Sequence, residues 1–158
     1  MHCVIVRHRN SEKNYLFEVP EDLLEHVAAG RICVCDTRFG KQQGVILTDA
    51  AEMRPEDIAL FYPEATLPLR QLVGVYEYFP LEAIKIPKCF RRTTPRPETI
   101  YKRLRELRDT GTFRTHVAVE NGVLQDGYSA YLVSKMYDRK LPVLVEAKGG
   151  EGKSKRSN

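Results

Sequence analysis

The dipeptide Asn121-Gly122 constrains this chain more than any other feature. Both residue types accept positive φ, which a two-residue hairpin turn demands at both positions. The runs on either side, Thr115-His-Val-Ala-Val and Val123-Leu-Gln, are short and β-prone, so they are expected to pair antiparallel. Helical patterns bracket this hairpin. Upstream, Pro97 suits a first helical position, and Ile100, Leu104 and Leu107 recur at i, i+4, i+7 before Gly111 stops the helix. Downstream, Asp126-Gly127 opens a second helix with Ala130, Val133, Met136 and Tyr137 on one face. Leu141-Pro-Val-Leu-Val-Glu reads as a final strand.

The first half carries a different rhythm. Val4 to Val6 and Tyr15-Leu-Phe-Glu-Val read as strands, the second ending at Pro20. Glu21 to Ala29 allows one or two helical turns, closed by Gly30. Ile32 to Asp36 and Gly44-Val-Ile-Leu-Thr form a hairpin whose tip carries Arg38 and Lys41. Arg54 through Pro68 reads as a linker, because Pro55, Pro63 and Pro68 interrupt it. Gln71-Leu-Val-Gly-Val-Tyr-Glu-Tyr-Phe is strongly β-prone. Leu81 to Pro87 reads as extended, and Arg91-Arg-Thr-Thr-Pro-Arg-Pro as a basic loop.

At 158 residues the chain allows one ordinary domain or two very small ones. Its charge is divided. Residues 1–84 hold 8 Lys and Arg against 13 Asp and Glu, a net −5. Residues 85–158 hold 17 against 8, a net +9. Only the second half is composed to meet polyanions. No apolar run approaches the roughly 20 residues of a membrane span, and no targeting segment is evident at Met1, so the expected location is the cytoplasm. Cys3, Cys33, Cys35 and Cys89 lack the paired spacing of a zinc site. Cys33 and Cys35 share one strand face, where they read as small buried hydrophobes. His2, His8, His26 and His116 show no helical pairing, so neither a metal nor a cofactor is expected.

The segment Val119-Glu-Asn-Gly-Val-Leu-Gln-Asp-Gly-Tyr-Ser-Ala-Tyr-Leu-Val-Ser-Lys, followed by Leu141-Pro-Val-Leu-Val, resembles the ParB N-terminal/sulfiredoxin superfamily. The likeness runs from Leu81 to Glu146. More weakly, Val34-Cys-Asp-Thr-Arg-Phe-Gly-Lys-Gln-Gln-Gly-Val-Ile resembles the SH3-like amino-terminal barrel of PriA-type primosomal helicases. Together these imply an α+β chain in three parts. Residues 1–80 would form a small SH3-like β-barrel domain, 81–147 a ParB/sulfiredoxin-like α/β domain, and 148–158 a disordered basic tail.

In that superfamily the Gly turn approaches a phosphate, and helix N–H groups and an Arg hold it. Here the turn keeps Gly127. The resemblance, however, puts Tyr128 where sulfiredoxins carry the catalytic Cys, Ser129 where a His follows, and Ala130 where the Arg stands. Loss of a phosphate-pairing Arg removes the charge neutralisation that phosphoryl transfer needs. The expectation is a non-catalytic, nucleic-acid-associated binding protein, in the family context an accessory of a plasmid or mobile element. Arg91, Arg92, Arg96, Lys102, Arg103 and Arg105 are its expected contacts to DNA or another polyanion. Phe90 and Tyr101, set among these charges, are candidates for stacking on bases or for the core. Asp126, Gly127, Tyr128 and Ser129 form a candidate anion or nucleotide turn, with Asp126 as helix cap. Two rival readings stand beside this one. One is a nucleotide-responsive switch or weak hydrolase using the Gly127 turn, and the other is a protein–protein adaptor. The plain alternatives are a helix-start turn at Asp126-Gly127 and solvated basic surfaces elsewhere.

Overall fold

A computed structural model describes residues 1–148. The chain divides into two compact units, one comprising Met1–Tyr76 with the stretch from Val145, the other Glu77–Leu144.

The first unit is organised about β1 (His2–His8). Along one edge lies β2 (Asn14–Glu18), antiparallel, with Cys3 opposite Glu18 and Arg7 opposite Asn14. Along the other edge, β4 (Gly40–Ile46) and β5 (Ala51–Glu52) pair with β1 in two pieces. Between them the ladder is bridged: Leu47 N–H donates to the Ile5 carbonyl at 2.8 Å, and Ile5 N–H donates to Thr48 Oγ1 at 3.1 Å. β3 (Ile32–Thr37) forms the expected hairpin with β4. Its tip is held by Thr37, whose hydroxyl donates to the Gly40 carbonyl at 2.7 Å and accepts Phe39 N–H at 3.1 Å. β6 (Leu72–Phe79) pairs with the far edge of β3. The order is β2-β1-β4-β3-β6-β9, where β9 is Leu141–Glu146. Beyond β9, Ala147 N–H donates to the Val73 carbonyl at 2.8 Å.

Strand alternation explains this unit's core. Val4 and Val6 point to one face of β1, and Cys33 and Cys35 to the same face of β3. Phe17, Ile46, Leu72 and Val75 complete the buried set. The Cys33 and Cys35 sulfurs lie 3.7 Å apart, and both thiols are free. The contact with Cys33 and burial push the Cys35 thiol well above its ordinary range. Burial likewise raises Cys3.

The expected barrel does not close. The sheet is open and antiparallel within the described residues. The edge strand β2 meets the stretch leading into β6 at one place, where Glu18 N–H donates to the Arg70 carbonyl at 3.0 Å and Glu18 forms a single bridge with Gln71. Pro20 has no N–H to extend that ladder, and the chain turns at once into a 3₁₀ segment, Glu21–His26. The expected linker after Arg54 instead contains α1 (Pro55–Phe61). Pro55 occupies its first helical position, and Asp57 accepts the Arg54 N–H at 3.2 Å. Ile58 is the helix's buried anchor, clustered with Cys3 and Leu69.

In the second unit α3 (Pro97–Thr110) begins at Pro97 and ends at Gly111, as expected. Gly111 adopts φ +76°, and its N–H donates to the Leu107 carbonyl at 2.9 Å. The hairpin consists of β7 (Ala118–Glu120) and β8 (Val123–Asp126), joined by Asn121 and Gly122 at φ +52° and +77°. β7 starts three residues later than expected. Lys85 adds to this hairpin: its N–H donates to the Gly122 carbonyl at 2.7 Å and its carbonyl accepts Leu124 N–H at 2.9 Å. Part of the expected basic loop is helical, as α2 (Lys88–Arg91). α4 (Tyr128–Met136) follows the hairpin. Leu107, Leu124, Ala130, Val133 and Leu141 meet in the core. Met136 and Tyr137, expected on the apolar face of α4, are exposed because the buried stripe ends at Val133 and Ser134. Ser134 satisfies its buried hydroxyl on the Ala130 carbonyl at 2.9 Å.

Of the expected tail, Lys148 alone falls inside the described residues, and 149–158 lie outside them. No helix among the described residues is long and apolar enough to cross a membrane.

Candidate nucleic-acid interface

The six cations singled out by sequence separate into two kinds. Arg91 ends α2, Arg92 caps it, and Arg96 immediately precedes α3. These three are exposed, as are Lys102 and Arg105 on α3. None of the five is ion-paired among the described residues. Arg105 lies instead with its guanidinium carbon 4.9 Å from the centre of the Tyr101 ring. Lys88, at the start of α2, adds a further exposed cation.

Arg103 is different. Its side chain is 11% exposed and pairs with Glu106, itself 8% exposed. The same Glu106 oxygen accepts the Arg114 N–H at 3.2 Å, so this ion pair clamps the chain beyond α3 back onto the helix. The second Glu106 oxygen and Arg103 Nε are buried with no partner. Arg103 therefore leaves the polyanion-contact set. Helical rotation explains the split: 102 and 105 face outward, while 103 and 106 sit beside the buried Leu107 stripe.

The Gly127 turn is also occupied from within. Asp126 does not cap α4, because Gly127 is the N-cap residue. One Asp126 oxygen accepts Gly127 N–H at 2.8 Å, and the other lies 3.0 Å from His116 Nδ1. An incoming anion would face this carboxylate. Gly127 adopts φ +92°, and a Cβ there would sit 2.9 Å from Val117 Cγ2 and 3.0 Å from the His116 carbonyl oxygen. Glycine is thus required by the close approach of His116 and Val117, which also explains the late start of β7. Tyr128 fills the space beside the turn, its ring stacked 5.6 Å from Phe90 and 6.3 Å from Tyr131. Phe90 is therefore spent on packing. Ser129 lies in the first turn of α4, half-buried.

Sequence reasoning missed the Asp126–His116 pair, because the contact depends on the register of the hairpin. It also missed Tyr137, which the helical stripe assigned to the core and which is 56% exposed. Among the described residues no group of three or more His, Cys, Asp or Glu side chains is placed to hold a metal ion.

No family model, no curated protein and no solved structure matches this chain.

Proposed function

We propose that the second unit binds the phosphate backbone of a nucleic acid, without chemistry, through the exposed cations of α2, the loop after it and α3. One observation carries this reading: Arg91, Arg92, Arg96, Lys102 and Arg105 are exposed and lack carboxylate partners among the described residues, whereas Arg103 and Arg108 of the same region are paired. Unpaired, solvated guanidinium groups keep their donors free for phosphate oxygens and release condensed counterions when they engage.

The absence of catalysis rests on the turn. The resemblance to ParB-like and sulfiredoxin-like proteins puts the reactive side chains at Tyr128, Ser129 and Ala130, and none of these supplies a thiolate, imidazole or guanidinium. Tyr128 is stacked between two rings, and Ala130 is buried. The Asp126 carboxylate on Gly127 N–H weighs against the nucleotide-switch reading, since it occupies that donor and sets a like charge beside it. A role as plasmid or mobile-element accessory belongs to the same proposal and rests on the ParB resemblance alone.

The test is binding of a labelled DNA duplex by the full chain and by an Arg91→Ala/Arg92→Ala/Arg96→Ala variant at fixed low salt. The triple variant is expected to bind at least about tenfold more weakly, the loss of three phosphate contacts. Equal affinity of the two proteins would refute the assignment.

A further inference from the structure

Two tyrosines in the second unit are more exposed than packing requires. Tyr101 is 59% exposed on the outer side of α3, and Tyr137 is 56% exposed at the end of α4. Each ring presents a π-face to solvent on which a planar group can stack. Each is set among cations. Tyr101 adjoins Lys102 in sequence and carries Arg105 at 4.9 Å, one helical turn on. Arg108 continues the same stripe, three residues past Arg105, and hydrogen-bonds Asp109 at 3.0 Å. α4 packs against α3, and the exposed Lys135, Arg139 and Lys140 flank Tyr137. The Phe90, Tyr128 and Tyr131 rings, by contrast, are half-buried and stacked on one another.

We propose that the ligand of the second unit is an unpaired, single-stranded stretch of nucleic acid, with bases stacking on Tyr101 and Tyr137 and phosphates held by Lys102 and Arg105. The inference rests on the polyanion-binding reading above and specifies its ligand. Any base presents a π-face, so recognition of this kind tolerates sequence. In a duplex those faces are already stacked, and the tyrosines gain nothing. The cations serve both forms, whereas the rings discriminate between them. Arg108 stays with Asp109 and orders the stripe without contributing a free charge.

The experiment compares a fluorescein-labelled 20-mer of mixed sequence, single-stranded, with its duplex, by anisotropy at one low salt concentration using the full chain. The single strand is expected to bind about fivefold or more tightly than the duplex, the lower end of what one stacked base contributes. Tyr101→Ala and Tyr137→Ala should each erase most of that margin with duplex affinity unchanged. Tyr101→Phe should keep it, since a phenyl ring stacks as well. Duplex binding as tight as single-strand binding overturns the inference, as does a Tyr101→Ala protein indistinguishable from the parent on the single strand. In both cases salt-sensitive binding lost in the Arg91/Arg92/Arg96 variant leaves the broader reading standing. Failure of both oligonucleotides to bind overturns the two together.

Discussion

Replacing Gly127 by Ala separates the two explanations of why glycine stands at that turn. If the residue serves to let a phosphate approach, the substitution costs only the strain of its positive φ and weakens anion binding. The structure assigns it instead to close packing under His116 and Val117. Two costs then add. A non-glycine residue at φ +92° carries roughly 1–2 kcal/mol of backbone strain. Forcing a Cβ to 2.9 Å from Val117 Cγ2 and 3.0 Å from the Val117 Cα and the His116 oxygen costs about 1–3 kcal/mol more. Gly122→Ala is the internal control. Gly122 also has positive φ, +77°, but a Cβ there meets only the Ala83 carbonyl oxygen, at 3.4 Å. It carries the strain and almost none of the packing cost. The difference between the two variants therefore isolates packing, and it is expected to be about 1–3 kcal/mol, with Gly127→Ala the less stable. The chain has no Trp and eight Tyr, so urea unfolding is followed by circular dichroism and tyrosine fluorescence. Equal midpoints and slopes for the two variants would refute the packing argument and return Gly127 to the ligand.

Four further outcomes are expected. Glu106→Ala should destabilise the second unit by about 3–5 kcal/mol, because it strands the buried Arg103 charge. The Arg103→Met/Glu106→Leu double variant should cost less than the sum of Arg103→Met and Glu106→Leu, measured in a double-mutant cycle by denaturant unfolding. A thiol reagent should modify Cys89 rapidly in the native protein, since it is exposed, and reach Cys3, Cys33 and Cys35 only as the first unit unfolds. A thermal-shift assay with nucleoside triphosphate and Mg²⁺ should move the midpoint by less than about 1 °C. A rise of several degrees would restore the nucleotide-switch reading.

Much of the fold was legible because local chemistry decided it. Pro97 and Gly111 bound α3 on both sides, and Asn121-Gly122 leaves the flanking runs no option but to pair. Leu107 and Val133 could be placed in a core by helical period alone. α1 was obscured by its prolines: Pro63 and Pro68 suggested a linker, while Pro55 is itself a helix-start residue supported by Asp57. The barrel was overread because closure depends on hydrogen bonds between strands distant in sequence. Here Pro20 limits that contact to a single bridge at Glu18. At the candidate interface, composition identified the right stretch but not the direction in which each side chain points. Arg103 and Arg105 look alike in sequence, yet one is spent on Glu106 and the other reaches solvent over Tyr101. Asp126 looked like a helix cap and instead spans Gly127 and His116, a partner fixed only by hairpin register.

The central claim is that free cations on α2, α3 and the loop between them meet a phosphate chain. It is tested most directly by how the affinity for DNA varies with salt. Five engaged cations predict a log–log slope of about −4.5 on duplex or −3.5 on a single strand. Arg103→Met should leave that slope unchanged, while each of Arg91→Ala and Arg92→Ala should make it shallower by nearly one. A flat salt dependence, or a slope that falls on loss of Arg103 and not of Arg91, would contradict the account.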